Sequence, residues 1–407
     1  MENLNPTKPF KYGFLSEFVL LEDSLPFTNI DIELIDKKLS RYEEFILDPD
    51  IERNLISKNE LLTSFAISKA ENSELTIDEA KNVYLTLLSN KDYDFVKEKM
   101  LQGEKLNRND YDKLEFFNIA KTFREIGGAS FKIEDLTPDF IKNIHKKITQ
   151  GLDIFKDHLS GFTVYKSGEL RSSDDIRIGE YAPAPFNEIG KSIEEIINWY
   201  KNNKSPVSTA IFHTALYALH PFNNGNKRVC RILEHILLRE LGLNNKNTWS
   251  TSYYYHKEKE RYYKNMFNSL VRKNLNIFSA FALEAQYLSI VGVLKTSIET
   301  KKEKFLKINL REQREDELLY KIIKPLIKRK EIQFKNLFRF AKNKTSKQTF
   351  VNHLEKALER GLILKRENGK NTYYFLNLDI PEQKILEDWI ILAKKKLPYI
   401  SNGFLLA

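Results

Sequence analysis

A single cysteine, Cys230, in 407 residues excludes an intrachain disulfide and suits a reducing compartment. No run approaches the roughly 18 to 20 apolar residues that span a bilayer, so no membrane segment is expected. The opening Met-Glu-Asn-Leu-Asn-Pro-Thr lacks a basic stretch followed by an apolar core, so no signal peptide is expected either. These absences together predict a cytoplasmic protein. Glycine and proline are sparse, at 15 and 12. There is no repeat in the 20–50 residue range and no low-complexity tract.

What is present is ordinary for a globular chain: 42% hydrophobic and 30% charged residues, with length enough for two or three domains. The net charge of +9 is unevenly spread. Residues 301–375 hold 21 Lys+Arg against 9 Asp+Glu, leaving 44 against 47 elsewhere. The excess of +12 in that segment points to an acidic partner there, or to a solvated Lys-rich helical surface.

Apolar residues recur at helical spacing over most of the chain. One stripe begins at Leu34, Lys38, Leu39 and Tyr42, and another runs through Ile193, Ile196, Ile197 and Tyr200. Between Ser160 and Pro185 the helical pattern breaks. Gly161, Gly168, Gly179, Pro183 and Pro185 punctuate it, and Phe162, Val164, Ile176 and Ile178 alternate, which predicts a small hairpin or flap. An apolar helix, Ser208 to Leu219, then leads into His220.

Near residue 300 the chain changes again. A charged connector, Thr300-Lys-Lys-Glu-Lys-Phe, precedes three predicted helices: Glu317 to Ile327 with an interruption at Pro325, Phe334 to Phe340, and Thr345 to Arg360. Thr345 or Ser346 caps the last, and Gly361 stops it. Ile363–Glu367 and Lys370–Phe375 then flank Asn368-Gly369, a pair suited to a type I′ turn. Three helices and a hairpin is the order of a winged helix-turn-helix.

The chemistry concentrates in His220-Pro-Phe-Asn-Asn-Gly-Asn-Lys-Arg-Val-Cys-Arg231. Pro221 ends one helix. Asn223, Asn224, Gly225 and Asn226 tolerate a tight loop, and a new helix begins near Asn226 or Lys227. Backbone N–H groups at such a start make an anion site. Arg228 and Arg231, three apart, are expected to share a face and fork onto phosphate. His220 is the group suited to removing a proton near neutrality. The plainer alternative is a helix–loop–helix with two surface arginines.

This segment resembles the Fic motif H-x-F-x-[D/E]-G-N-G-R-x-x-R at His220, Phe222, Gly225, Asn226, Arg228 and Arg231. Gly168-Glu-Leu-Arg171, Ile176-Arg-Ile178-Gly179 and Tyr181-Ala-Pro183 resemble the family's flap. His213 and Arg261-Tyr262-Tyr263 have counterparts as well. The likeness spans roughly residues 25 to 290. It implies a mainly α fold: a Fic-type helical core with a small β-hairpin flap, followed by the winged helix. The implied boundaries are 1–115 for an N-terminal helical region, 116–295 for the core, 305–380 for the winged helix and 381–407 for a helical tail.

The resemblance further implies transfer of AMP from ATP to a Ser, Thr or Tyr hydroxyl of a protein, self-modification included. His220 would be the base. Asn224, Gly225, Asn226, Lys227, Arg228 and Arg231 would line the phosphate site, and Phe222 would anchor the loop. Mg²⁺ or Mn²⁺ is implied as the companion of ATP, with Asn224 a weak ligand because it lacks the usual carboxylate charge. Lys227 replaces the second glycine, as in the Doc-type branch that transfers the terminal phosphate, so phosphorylation stays open. Ser64 to Ser73 resembles the family's inhibitory helix, which implies that Glu71, followed by Asn72, pairs with Arg231 at rest. In the basic segment, Lys342, Lys344, Lys347, Lys365, Arg366 and Lys370 sit where a winged helix meets DNA. Protein docking is the alternative there, and a degenerate core serving a DNA-binding regulator is the rival to catalysis. No membrane partner is expected, and the sequence leaves a homodimer open.

Overall fold

The computed structural model describes residues 6–45, 48–71, 73–128, 131–160, 165–310, 316–343 and 345–399, with the backbone alone at 45, 71, 126–128 and 316. The chain forms two compact units: Met1–Ile46 with Glu52–Ile290, and Leu47–Ile51 with Val291–Ala407.

The first unit is helical. In chain order its helices are α1 (Asn29–Phe45), α2 (Pro49–Ser68), α3 (Ile77–Leu88), α4 (Phe95–Leu101), α5 (Arg108–Gly128), α6 (Pro138–Thr149), α7 (Ile189–Asn202), α8 (Pro206–Leu219), α9 (Asn226–Glu240), α10 (Thr251–Lys257), α11 (Lys259–Val271) and the start of α12 (Leu275–Asn309). Every residue of α8 is buried, and α9 is buried from Arg228 to Leu238. These two helices pack on each other at the centre, with α7 against α8 and α6 against α9. A helix enclosed on all sides needs no polar face, which is why α8 reads as almost continuously apolar. Ser205 caps α8 by accepting from Ser208 N–H, and Pro206 follows at its first turn, where a missing N–H costs nothing.

The Ile193 stripe is buried as its spacing predicts. In α1 the buried set is Ile32, Ile35, Leu39 and Tyr42, while Leu34 is 53% exposed. Leu34 lies outside the true apolar face by about one position of the helical wheel.

The flap is less regular than expected. Phe162 and Val164 lie outside the described residues. Among the described ones, Ile178 and Tyr181 make an isolated antiparallel bridge and no longer strand forms. Gly179 has φ +59 in that turn, and a Cβ there would stand 3.0 Å from Phe267.

The second unit holds the end of α12, then α13 (Asp316–Ile323), β1 (Ile332–Gln333), α14 (Phe334–Ala341), α15 (Lys347–Glu359), β2 (Ile363–Asn368), β3 (Asn371–Leu376) and α16 (Glu382–Lys396). The strands form an antiparallel sheet in the order β1-β3-β2, around a core that includes Leu319, Ile322, Leu337, Phe350, Leu354, Ile363 and Leu376. Ser346 caps α15 by accepting from Thr349 N–H. The expected hairpin is present, but Asn368 pairs with Asn371, so the turn is Gly369-Lys370. Only Gly369 has positive φ, which is the requirement of a type II′ turn rather than type I′.

The connector expected at residues 300–305 is instead the last part of the 35-residue α12. Lys and Glu are good helix formers, and Lys307 pairs with Glu303 one turn back. By length and mean hydropathy (1.6) α12 could cross a membrane, contrary to the expectation that no such run exists. However, 78% of its most apolar window is buried in the protein, and its Glu284 is ion-paired with Arg261 at 2.7 Å. Those are the marks of a core helix.

Candidate active site

The loop between α8 and α9 carries the motif. His220 is the C-cap of α8 and adopts a left-handed conformation, φ 48 and ψ 60. That conformation strains a non-glycine residue and persists only where its surroundings impose it. The clamp comes from the flap. Arg171, 3% exposed, donates from Nε to His220 O at 2.8 Å, and its backbone N–H donates to Pro221 O at 2.9 Å. The same guanidinium also holds Ala184 O and Ser173 O.

The next residues brace the loop from within. Phe222 is fully buried. Its backbone N–H donates to Asn226 Oδ1 at 2.9 Å, and Asn226 Nδ2 donates back to Phe222 O at 2.8 Å. The Asn226 amide, expected on phosphate, thus makes two bonds within the loop.

His145, from α6, supports the other side. Its ring stacks on Phe222 with centroids 3.9 Å apart and 3° between planes. Gly168 N–H donates to its Nδ1 at 2.9 Å, so Nε2 carries the proton and donates to Asn224 O at 3.2 Å. Burial pushes this imidazole down to about 4, with the nearby Arg228 charge acting the same way, so it stays neutral at pH 7. Gly225, φ +80, lies close to the ring, and a Cβ there would meet His145 Cδ2 at 3.4 Å.

Gly225 is also the N-cap of α9, with no side chain capping the helix. Its N-cap glycine thus offers no side-chain oxygen to the first-turn amides, which no helix carbonyl can reach. The helix start keeps its preference for an anion.

The arginines part company. Arg228 is fully buried and ion-paired with Glu115 of α5, and its Nη2 reaches Tyr165 OH at 3.1 Å. Tyr111 joins by donating to Glu115 at 2.7 Å. Arg228, expected on phosphate, thus holds a carboxylate on this side of α9. Arg231 turns instead toward α10 and α11, 4.4 Å above the Tyr262 ring, and Nη1 donates to Ala66 O at 3.0 Å. Its companion is Lys227, four residues earlier and half-buried, whose Nζ lies 4.9 Å from the Tyr263 ring centroid. Tyr263 in turn donates to Ala70 O at 2.7 Å.

Beneath Arg231 lies a buried polar chain. Tyr262 OH stands 3.4 Å from His213 Nε2, His213 Nδ1 is 2.5 Å from Glu234, and Tyr255 OH donates to Glu234 at 2.8 Å. The backbone turn 69–71 packs beside α9. The side chain of Glu71, and Asn72, lie outside the described residues.

A protein-held divalent cation at this loop would need Asn224. Asn224 Oδ1 already accepts Gly225 N–H at 2.8 Å and faces Arg228 Nη2 at 3.4 Å. One neutral amide oxygen beside a guanidinium does not fit a magnesium ion, which asks for carboxylate.

Residues 135–238 match the Fic/DOC family. The chain carries a Fic/DOC family domain. A probable protein adenylyltransferase of Aquifex aeolicus is 32% identical to it over 136 residues, 32% of this chain and 40% of that relative. The match thus spans well under two thirds of the relative's length. The crystal structure of a Fic family protein from Desulfovibrio desulfuricans covers 88% of this chain and 99% of its own, at 17% identity and a TM-score of 0.49. Fic-1 of C. elegans, residues 134–508, covers 66% and 73% at 16% identity and a TM-score of 0.48.

The motif residues of the Fic domain were legible as one contiguous stretch. Glu115, His145 and Tyr165 were not, because they reach the loop from 63 to 113 residues away. Arg171 was visible only as part of the flap, not as the clamp on His220.

Proposed function

We propose that the Fic domain transfers AMP from ATP to a hydroxyl side chain of a protein. The observation that carries this reading is the start of α9 at Gly225, a helix end with no capping side chain in the loop that follows His220 and leads into Lys227 and Arg231. His220 would take the proton of the incoming hydroxyl. The hydroxyl oxygen would bond to the α-phosphorus, the bond from that phosphorus to the bridging oxygen would break, and pyrophosphate would leave with the electron pair. The amides of the α9 start, with Lys227 and Arg231, would stabilise the charge that builds up. The residues that brace the loop would hold His220 in position before substrate arrives.

Lys227 favours a second outcome, transfer of the γ-phosphate, since it fills space that glycine would leave to the nucleotide. Incubating the chain with α- or γ-labelled ATP separates the two. Label from the α position is expected. Label from γ alone would mean phosphorylation.

Glu71 is read as a brake on this site. Arg231 bonds to the end of α2, and the turn 69–71 that contains Glu71 packs beside α9, which supports that reading. Glu71→Gly should then raise transfer or self-modification. If neither AMP nor phosphate is gained even in that variant, a regulatory role for the chain is favoured over catalysis.

The second unit reads as a winged helix that binds DNA. Of the basic residues expected on DNA, Lys342, Lys347 and Lys370 are exposed and make no ion pair among the described residues, as do Lys335 and Arg339, whereas Lys365 and Arg366 pair with Glu367 and Glu331, and Lys344 lies outside the described residues. Binding to a duplex that weakens steeply with salt is expected, and absence of binding at low salt removes this reading.

A further inference from the structure

We propose that the nucleotide's polyphosphate is neutralised in this protein by the ammonium groups of Lys227 and Lys259, in the role a divalent cation would otherwise fill. The inference rests on the reading of the His220–Arg231 loop as a nucleotide site.

The first observation is the poor metal site. Asn224 offers one neutral oxygen, already bonded to Gly225 N–H and turned toward the Arg228 guanidinium. The second is what stands near the same helix start. Lys227 and Arg231 lie one turn apart on α9, on the face that looks to α11. From α11 itself comes Lys259, exposed, whose Nζ is 5.8 Å from the Tyr263 ring centroid. Lys227 Nζ is 4.9 Å from that same ring. Tyr263 OH is bonded to Ala70 O, so both ammonium groups lie beside one tethered ring.

Further cations crowd this corner. Lys69 follows α2, and the charges of Arg231, Lys69 and Lys259 all reach His256, adding to burial in holding its pKa below the ordinary value. The charges also match. A carboxylate with a bound divalent cation would bring the loop a net single positive charge, and the neutral Asn224 with Lys227 brings the same. Lys259 then adds a second ammonium within reach of the phosphates.

Calorimetric titration of ATP into the full chain, once with EDTA and once with Mg²⁺, tests this. The affinity in EDTA is expected to stay within about threefold of that with Mg²⁺. Lys227→Ala and Lys259→Ala are each expected to weaken binding in EDTA by about tenfold, the scale of one charge-assisted contact. Lys259→Arg should retain binding. Asn224→Asp should reverse the behaviour, binding poorly in EDTA and recovering with Mg²⁺. All variants are compared in the wild-type chain and with Glu71→Gly, with thermal unfolding as the check on folding. ATP that binds only with Mg²⁺, or lysine variants that bind as the wild type does in EDTA, overturn the proposal while leaving the nucleotide site standing. No binding under either condition by the folded chains overturns the nucleotide reading itself, and the inference with it.

Discussion

Arg228 and Arg231 sit one turn apart on α9, match the same motif and are both buried, yet they belong to different parts of the protein's working. Arg228 closes an ion pair with Glu115 among Tyr111 and Tyr165. Arg231 lies over Tyr262, with Lys227 beside it at the uncapped helix start. One side of α9 is held together by its arginine, and the other is arranged around cations that have an aromatic wall and a helix end for company. A motif therefore records residue types without recording which neighbours each of them meets.

The division can be broken by substitution. Arg228→Ala leaves the Glu115 carboxylate buried without its partner and should cost about 3–5 kcal/mol in urea unfolding. Arg228→Met combined with Glu115→Leu should recover most of that. An Arg228→Ala chain of unchanged stability that no longer binds ATP would reverse the assignment.

A smaller effect comes from His145 on the same side. Its folded pKa is held down to about 4, while the unfolded imidazole titrates near 6.5. As pH falls, the unfolded chain takes up the proton first. The stability this neutral imidazole contributes is therefore complete above about pH 6.5 and is lost on going down toward pH 4. His235, down to about 3, titrates in the same direction, so the comparison of wild type with His145→Phe isolates one ring. The variant's stability should depend less steeply on pH in that window, by up to about 1.4 kcal/mol per pH unit. An identical slope in both chains would count against a buried His145 that stays neutral in the folded chain.

Gly225→Ala, at the junction of the two sides, should cost about 1–2 kcal/mol for its left-handed backbone. It should also lower the melting temperature without needing any change at Arg231. On the other side of α9, Arg231→Met should cost about 2 kcal/mol in stability, since it keeps the packing but loses the bond to Ala66 O and the cation's contact with the Tyr262 ring. Its ATP affinity should nevertheless fall by about tenfold or more. A large stability loss with unchanged affinity would make Arg231 a second Arg228.

The motif was legible because it is contiguous and because Pro221 and Gly225 punctuate it in ways that leave few conformations. The turn from α8 into α9 follows almost from those residues alone. What the sequence could not carry was orientation. Spacing of three places Arg228 and Arg231 on neighbouring sides of a helix, but not which neighbouring element supplies a carboxylate and which supplies tyrosine rings. Glu115 reaches Arg228 across 113 residues, and Arg171 reaches His220 across 49. No local pattern marks either. In the second unit the helices followed their caps and periodicity. Strand β1, two residues long, was too short to leave an alternation, and residues 300–305 continued as helix because nothing in them breaks one.

The left-handed backbone of His220 bears on how loss of function at this position can be read. Alanine there would remove the imidazole and at once disfavour the backbone shape, so loss of the proposed transfer would not tell the two effects apart. Asparagine tolerates φ near +48 far better than most residues and has no group able to accept a proton near neutrality. His220→Asn is therefore the variant in which chemistry is removed while the loop keeps its course, and its unfolding curve should overlay the parent's.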